Sequence, residues 1–152
     1  MKPKYLIFIF FYVFILLVLP FIFRDKKVLF TDIEKVVNPY ITSELKKQNP
    51  DDIYKNYNLK NEYYNDYLSY INASFMDVDE ITIFEVKDSK KQNKVIHNLN
   101  EYCEAKKKTF LGYGPKQVKL IDQRIIEKKG NYVFLIISKN NKEIWKKIEK
   151  LY

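Results

Sequence analysis

An unbroken apolar run opens the pattern: residues 5–23 read YLIFIFFYVFILLVLPFIF, with no charged side chain among them. At about 1.5 Å per residue, a helix of that length spans nearly 30 Å, the hydrocarbon thickness of a bilayer. Lys2 and Lys4 bracket it on one side, Arg24, Lys26 and Lys27 on the other. Pro20 falls near one end, where a lost backbone hydrogen bond is tolerable. A cleaved export signal has a shorter apolar core and ends at small residues, yet no Ala, Gly, Ser or Cys precedes Ser43. The pattern therefore predicts an uncleaved single-pass transmembrane helix within residues 1–27, meeting the lipid bilayer through residues 5–23. With two basic residues before the run and three after it, the positive-inside rule does not orient the span. A short N-terminal tail kept in the cytoplasm is the usual arrangement for such an anchor, and places the rest of the chain outside the cell membrane.

From residue 28 onward the periodicity changes. Thr31 and Glu34 have the spacing of a capping box, ahead of Ile33, Val36 and Val37 on one helical side, and Pro39 ends or bends that helix. Asn49-Pro50 reads as an N-cap with proline in the first helical position, opening a brief helix through Ile53 and Tyr54. Four strands are predicted in two pairs: residues 67–71, 80–86, 124–127 and 132–138. The last, YVFLIIS, is apolar almost throughout, as a strand covered on both faces requires. Lys129-Gly130-Asn131 supplies the turn before it. Between the pairs, Val95, Ile96, Leu99, Tyr102 and Cys103 form the buried stripe of a helix over residues 88–108, followed by a Gly- and Pro-bearing break and a short helix with Val118 and Ile121. A final helix from about Asn140 buries Ile144, Trp145, Ile148 and Leu151. The expected fold class is α+β: one domain over residues 28–152, a small antiparallel four-stranded sheet with helices packed on it, preceded by the transmembrane helix.

Charge modifies this picture little. The chain carries 27 Lys and Arg against 19 Asp and Glu, a net +8, and half of that excess lies in residues 1–27, where lipid headgroups would attract it. The remainder is too evenly spread for a nucleic-acid footprint, so no nucleic-acid partner is expected. The single cysteine, Cys103, excludes an internal disulfide framework and a cysteine-based zinc cluster.

Three segments resemble a known family. Residues 80–88 (EITIFEVKD), then Phe110 with residues 113–117 (YGPKQ), then residues 129–133 (KGNYV) are similar to the signature segments of bacterial domain-of-unknown-function family 4358. The resemblance covers roughly residues 30–150. It implies a small bacterial domain behind an export or lipid-anchor signal, placed outside the cytoplasm, with no established activity. This chain has no lipidation cysteine near its start, so attachment falls to the apolar helix.

The chemistry-bearing residues are sparse. His97 precedes Glu101 by one helical turn, but it lies off the buried stripe and one histidine with one glutamate is an incomplete metal site. Cys103 lies on the stripe and reads as an inert core thiol. Asp77, Asp79 and Glu80 cluster before a strand without the spacing of a calcium loop. Lys106, Lys107 and Lys108 read as a solvated helix end that suits the helix dipole. Gly112, Gly114, Pro115 and Lys116 form a loop-to-helix junction that lacks the glycine spacing of a nucleotide-binding motif. No catalytic residue, cofactor or metal site is therefore assigned. The expected contact residues are Tyr113, Gly114 and Lys116 in one loop, and Gly130 and Asn131 at a hairpin tip. The leading expectation is a membrane-anchored, non-catalytic binding or assembly module outside the cytoplasm, with a protein partner at the membrane. The alternatives are a sensor of anionic polymer or lipid headgroups and a hydrolase-like enzyme using His97 or the acidic turn.

Overall fold

The computed structural model describes residues 10–15, 17 and 28–152. Residues 10–15 and 17 are helical and their side chains exposed. The remainder of the expected 5–23 span lies outside the described residues, and among the described residues no helix is long and apolar enough to cross a membrane.

Residues 28–152 form an α+β domain around a five-stranded antiparallel sheet of order β1-β2-β3-β5-β4. In chain order the elements are α1 (Phe30–Val37), β1 (Leu45–Lys47), α2 (Pro50–Tyr57), β2 (Asp66–Asn72), β3 (Glu80–Glu85), α3 (Ser89–Phe110), α4 (Pro115–Asp122), β4 (Ile125–Lys129), β5 (Tyr132–Ile137) and α5 (Asn141–Glu149). Short 3-10 turns occupy Asn38–Tyr40 and Asn61–Tyr63. The sheet has five strands rather than the four expected. The additional one, β1, is three residues long, pairs Leu45 with Asn72 and Lys47 with Tyr70, and carries two exposed lysines. Three residues are too few to show a two-residue alternation, and lysines are common guards of an edge strand.

The sheet is covered on both sides. On one face Phe84, Val133, Leu135 and Ile137 pack against Ile53 and Tyr57 of α2, Val95, Leu99 and Cys103 of α3 and Ile121 of α4. On the other, Leu68, Ile81, Ile83, Phe134 and Ile136 pack against Ile33 and Val37 of α1 and Ile144 and Ile148 of α5. All six residues of β5 are buried, which is why its sequence shows no alternation. Each large apolar side chain so buried contributes about 1.5–3 kcal/mol.

Capping explains where the helices begin. Asn49 accepts a hydrogen bond from the Asp52 backbone N–H at 3.0 Å while Asp52 accepts from the Asn49 N–H at 3.1 Å, a reciprocal box that starts α2 as its sequence predicts. Asn58, left-handed at φ 52°, ends it. The Thr31–Glu34 box does not form. Helix α1 begins at Phe30 with Leu29 at its N-cap, so Thr31 already lies in the first turn. Packing of Phe30 against Tyr132, with ring centroids 6.0 Å apart, fixes that end instead.

The 22-residue helix α3, about 33 Å long, runs antiparallel to β3 and sets the long dimension of the domain. Gln92, in its first turn, donates to the Val86 carbonyl just past β3, and Lys106 reaches Glu80 at the start of β3. The domain therefore has two ends. The near end holds Val28, the β4–β5 tip and the start of α3; Tyr132 Oη donates to the Val28 carbonyl there at 3.0 Å. The far end holds the β2–β3 connection, the last turn of α3 and the start of α4, where Gln117 Nε2 donates to the Met76 carbonyl at 2.9 Å.

Candidate functional site

The first residue of β3 points a carboxylate into the core. Alternation along the strand puts Glu80, Thr82 and Phe84 on the face beneath α3, so the chain must supply donors there. Four side chains do so. Tyr57, the last residue of α2, donates to Glu80 Oε1 at 2.7 Å, and Thr82 Oγ1 lies 3.4 Å from the same oxygen. Tyr102 Oη and Lys106 Nζ donate to Glu80 Oε2 at 2.8 and 3.0 Å. Tyr102 and Lys106 are one helical turn apart on α3, which places both on one face; the lysine also donates to the Tyr102 oxygen at 3.0 Å. Ser69 Oγ lies 2.8 Å from Thr82 Oγ1, extending the network across β2. The Glu80 side chain is wholly buried, and that of Lys106 is 14% exposed.

Removal of a carboxylate and an ammonium from water costs several kcal/mol for each ion, offset only when geometry and hydrogen bonding are good. Here both carboxylate oxygens are engaged by donors. Burial, reinforced by the neighbouring Glu80, pushes the phenol pKa values of Tyr57 and Tyr102 far above their ordinary range, so both stay protonated and donate. Cys103 lies on the same helix. Burial first, then Glu80, pushes its thiol up to about 12, and a thiol so raised carries almost no thiolate at neutral pH.

Above this network lies an open cleft of about 440 Å³ between β1, the start of α2, the β2–β3 connection and the last turns of α3. Tyr102 and Lys106 form its floor, Lys46 and Gln48 one wall, and Phe75, Thr109 and Phe110 the other lip. An ammonium has three N–H donors. Lys106 uses two, on Glu80 and Tyr102, and its side chain lines the cleft. The arrangement can hold a polar group against the Lys106 and Tyr102 side chains.

The residues singled out from the sequence fall elsewhere or apart. His97 and Glu101 form an exposed pair with Nε2–Oε1 at 3.4 Å, away from the cleft. The three carboxylates of the acidic turn do not converge: Asp77 is exposed, Glu80 is buried, and Asp79 faces a separate cavity of about 200 Å³ with Tyr40, Glu44 and Lys139. Burial, then Asp77, raises the Asp79 pKa. Among the described residues no three His, Cys, Asp or Glu side chains are placed to hold a metal ion. The Lys106–Lys108 run is not a uniformly solvated helix end. Lys106 is drawn inward by Glu80, Lys107 pairs with Asp122 at 2.6 Å, and Lys108 alone is exposed, with no acidic partner within ion-pair distance among the described residues.

The two expected contact loops lie at opposite ends of the domain. Tyr113, Gly114 and Lys116 are at the far end. Tyr113 is exposed and leans on Phe110, with centroids 5.7 Å apart, and Lys116 is exposed in the first turn of α4. Gly114 is buried, because a Cβ there would sit 2.8 Å from Phe110 Cδ1. Gly130 and Asn131 are at the near end. Gly130 has φ +56°, its carbonyl accepts from Gln92 at 2.9 Å, and Tyr152 packs against it.

Sequence reasoning missed the Glu80 network and the cleft above it. The signals were present: a glutamate opening an otherwise apolar strand, and a tyrosine and lysine four apart on the neighbouring amphipathic helix. What was absent was the knowledge that α2 ends with Tyr57 against that strand.

A two-sided antiparallel sheet with a buried, fully partnered carboxylate defines the class: a small α+β domain with a polar cleft at its far end. The chain belongs to the DUF4358 family, whose model, described as "Domain of unknown function (DUF4358)", matches residues 39–138. The matched stretch runs from just after α1 through β5 and contains the whole network and cleft. No curated protein and no solved structure matches the chain.

Proposed function

We propose that this chain is a membrane-anchored, non-catalytic binding or assembly module, held at the outer membrane face by residues 5–23 and working through the far end of its domain. The carrying observation is the placement of apolar surface. Phe75, Met76, Leu111 and Tyr113 are all exposed at the far end, and Phe75 is 96% accessible. Exposed apolar groups gathered in one region of a small domain mark a contact surface. The chain enters the domain at the opposite end, at Val28. Residues 24–27 span at most about 14 Å of extended chain, less than half the length of α3. A bilayer holding residues 5–23 would lie against the near end and leave the far end free for a protein. The protonated thiol and phenols favour binding over nucleophilic or acid–base chemistry.

The test is made in native membranes. A photo-crosslinking residue at position 75 should give one discrete protein adduct, the same residue at position 131 should give lipid adducts, and a reporter fused after Tyr152 should be active only outside the cytoplasm. Lipid adducts at position 75, or a reporter active inside, would overturn the reading.

A further inference from the structure

Charge at the near end is divided between two sides. On the side of α1 and α5 it is acidic. Asp66 stands opposite Glu85, and Glu85 opposite Tyr132, so all three face those helices. Burial, then Glu85, Asp66 and Asp32, raise the Tyr132 phenol pKa, which places the three carboxylates around one ring. The lysines there are engaged: Lys35 pairs with Asp32, and Lys129 lies over the Tyr152 ring. Glu127 alternates to that side, and Glu149 and Lys150 close α5 with no net charge.

The side beneath α3 is basic. Lys90, Lys91 and Lys94 are exposed in the first turns of α3, and Lys128 of β4 reaches across to Asn93 Oδ1 at 3.4 Å. Lys87 is exposed on the rim beside them. Alongside are two carboxylates: Asp88, which accepts the Lys90 backbone N–H, and Glu62, in the turn whose carbonyl takes Lys91 Nζ. Neither is within ion-pair distance of these lysines. The fold gains nothing from this cluster. Positive charge opposes the dipole at a helix start, the first turn of α3 carries no acid, and Lys90 and Lys94 repel each other one turn apart.

We infer that this basic corner docks on the anionic headgroups of the bilayer that carries the chain, so that Lys90, Lys91, Lys94 and Lys128 lie among lipid phosphates and the acidic side is tilted away. The inference rests on the proposed membrane attachment and adds which side of the near end meets lipid and which lipid it needs. Where the chain enters selects the occupant. Gln92, within the lysine cluster, holds the Gly130 carbonyl, and Tyr132, two residues on, holds the carbonyl of Val28. Residues 24–27 reach at most about 14 Å, so the surface holding residues 5–23 is always beside this corner, whereas any other polyanion must come from solution. Arg24, Lys26 and Lys27, against Asp25, continue the basic character towards the lipid.

The experiment uses the full chain in nanodiscs, one copy per disc, made of phosphatidylcholine alone or with phosphatidylglycerol added. A photo-crosslinking residue is placed at position 89, beside the lysines, or at position 66, on the acidic side; both positions are exposed. With phosphatidylglycerol, lipid adducts from position 89 should exceed those from position 66 at least about fivefold. The preference should vanish in phosphatidylcholine alone and in concentrated salt. Joint replacement Lys90→Glu, Lys94→Glu and Lys128→Glu should bring position 89 down to the level of position 66. The same variant should keep or raise the urea midpoint, because acids suit a helix start. Equal adducts at the two positions in anionic discs, a preference indifferent to phosphatidylglycerol or salt, or a lowered midpoint in the charge-reversed chain would overturn the inference. If lipid adducts still form at position 131 without a preference for position 89, membrane attachment stands and only the headgroup docking falls; a chain that does not enter the discs removes both.

Discussion

The two hairpin connections of this sheet are built to opposite specifications. The β4–β5 tip at the near end is two residues long, its Gly130 is left-handed, and it is clamped by Gln92 on one side and Tyr152 on the other. The β2–β3 connection at the far end is longer. It is held by local bonds from the Ser74 N–H to Asn72 Oδ1 and from the Met76 N–H to Ser74 Oγ, and by the reach of Gln117. It also leaves Phe75 in water. The same short chain thus closes one end with the side chains of Gln92 and Tyr152 and leaves apolar surface uncovered at the other. The contrast teaches that exposure at the far end is not a shortage of covering groups; the covering groups are spent where the chain enters.

The strongest way to break the far end is from below. Replacing Lys106 with Met leaves the Glu80 carboxylate buried without its counter-charge. Removing one partner of a buried ion pair costs about 3–5 kcal/mol, a large part of the stability of a domain this size. Urea unfolding of the full chain in micelles, followed by the fluorescence of Trp145, should show that loss. Trp145 is the sole tryptophan and packs edge-on against Phe134 at 5.4 Å, in the other layer, so the signal reports the whole domain. The double variant Glu80→Leu with Lys106→Met should recover most of it, since no buried charge is then left unpaired. If Lys106→Met unfolds at the unaltered urea midpoint, the ion pair is not a structural requirement.

At the near end the corresponding break is conformational. Gly130→Ala forces an L-residue into the left-handed region and sets its Cβ 3.2 Å from Tyr152. The cost should be about 1–2 kcal/mol, from the backbone alone. Gly130→Asn should cost less, because asparagine tolerates that region. Equal losses for the two would show that contact with Tyr152, not the backbone, decides. Neither change should alter partner crosslinking from position 75.

This contrast is only half visible in the sequence. The turn at Gly130 was legible, because glycine before asparagine between two β-rich runs has a local cause. So were β3, β5 and the buried stripe of α3, whose patterns are long. The edge strand β1 was not, since three residues carry no period. The Glu80 network was not either. Local pattern assigned Glu80 to an acidic turn and Lys106 to a solvated end, and each assignment is reasonable until β3 and α3 are laid side by side. Tyr57 shows the same limit: it ends a short helix in a stretch that reads as an irregular, Asn- and Tyr-rich connection, and only packing makes it a buried donor. The exposure of Phe75 likewise depends on what fails to cover it, which no local pattern records.

A smaller effect separates the second cavity of the far end from the cleft. Asp79 has a folded-state pKa raised by burial and by Asp77. A raised acid binds more protons folded than unfolded, so the stability it contributes is greatest below the ordinary aspartate range and is lost as pH rises through the folded value. Asp79→Asn mimics the protonated form. The variant should therefore gain on the natural chain in unfolding experiments near pH 7 and match it near about pH 3. A constant difference at both would mean that Asp79 is as well solvated folded as unfolded.

The smallest expected change in stability belongs to the residue with the largest expected change in binding. Phe75 is almost fully accessible, so Phe75→Ser removes no buried area, and substitutions at such positions fall within about 0.5 kcal/mol of neutral. The same replacement at Phe110, buried beneath Gly114, would open a cavity and cost several times more. Urea midpoints for the two variants measure this directly. An unchanged midpoint together with lost crosslinking partners at Phe75→Ser would mean that the aromatic ring at the far end serves another molecule and not its own fold. A drop comparable to that at Phe110 would mean that the β2–β3 connection folds back on the domain in solution, and the difference between the two ends would disappear.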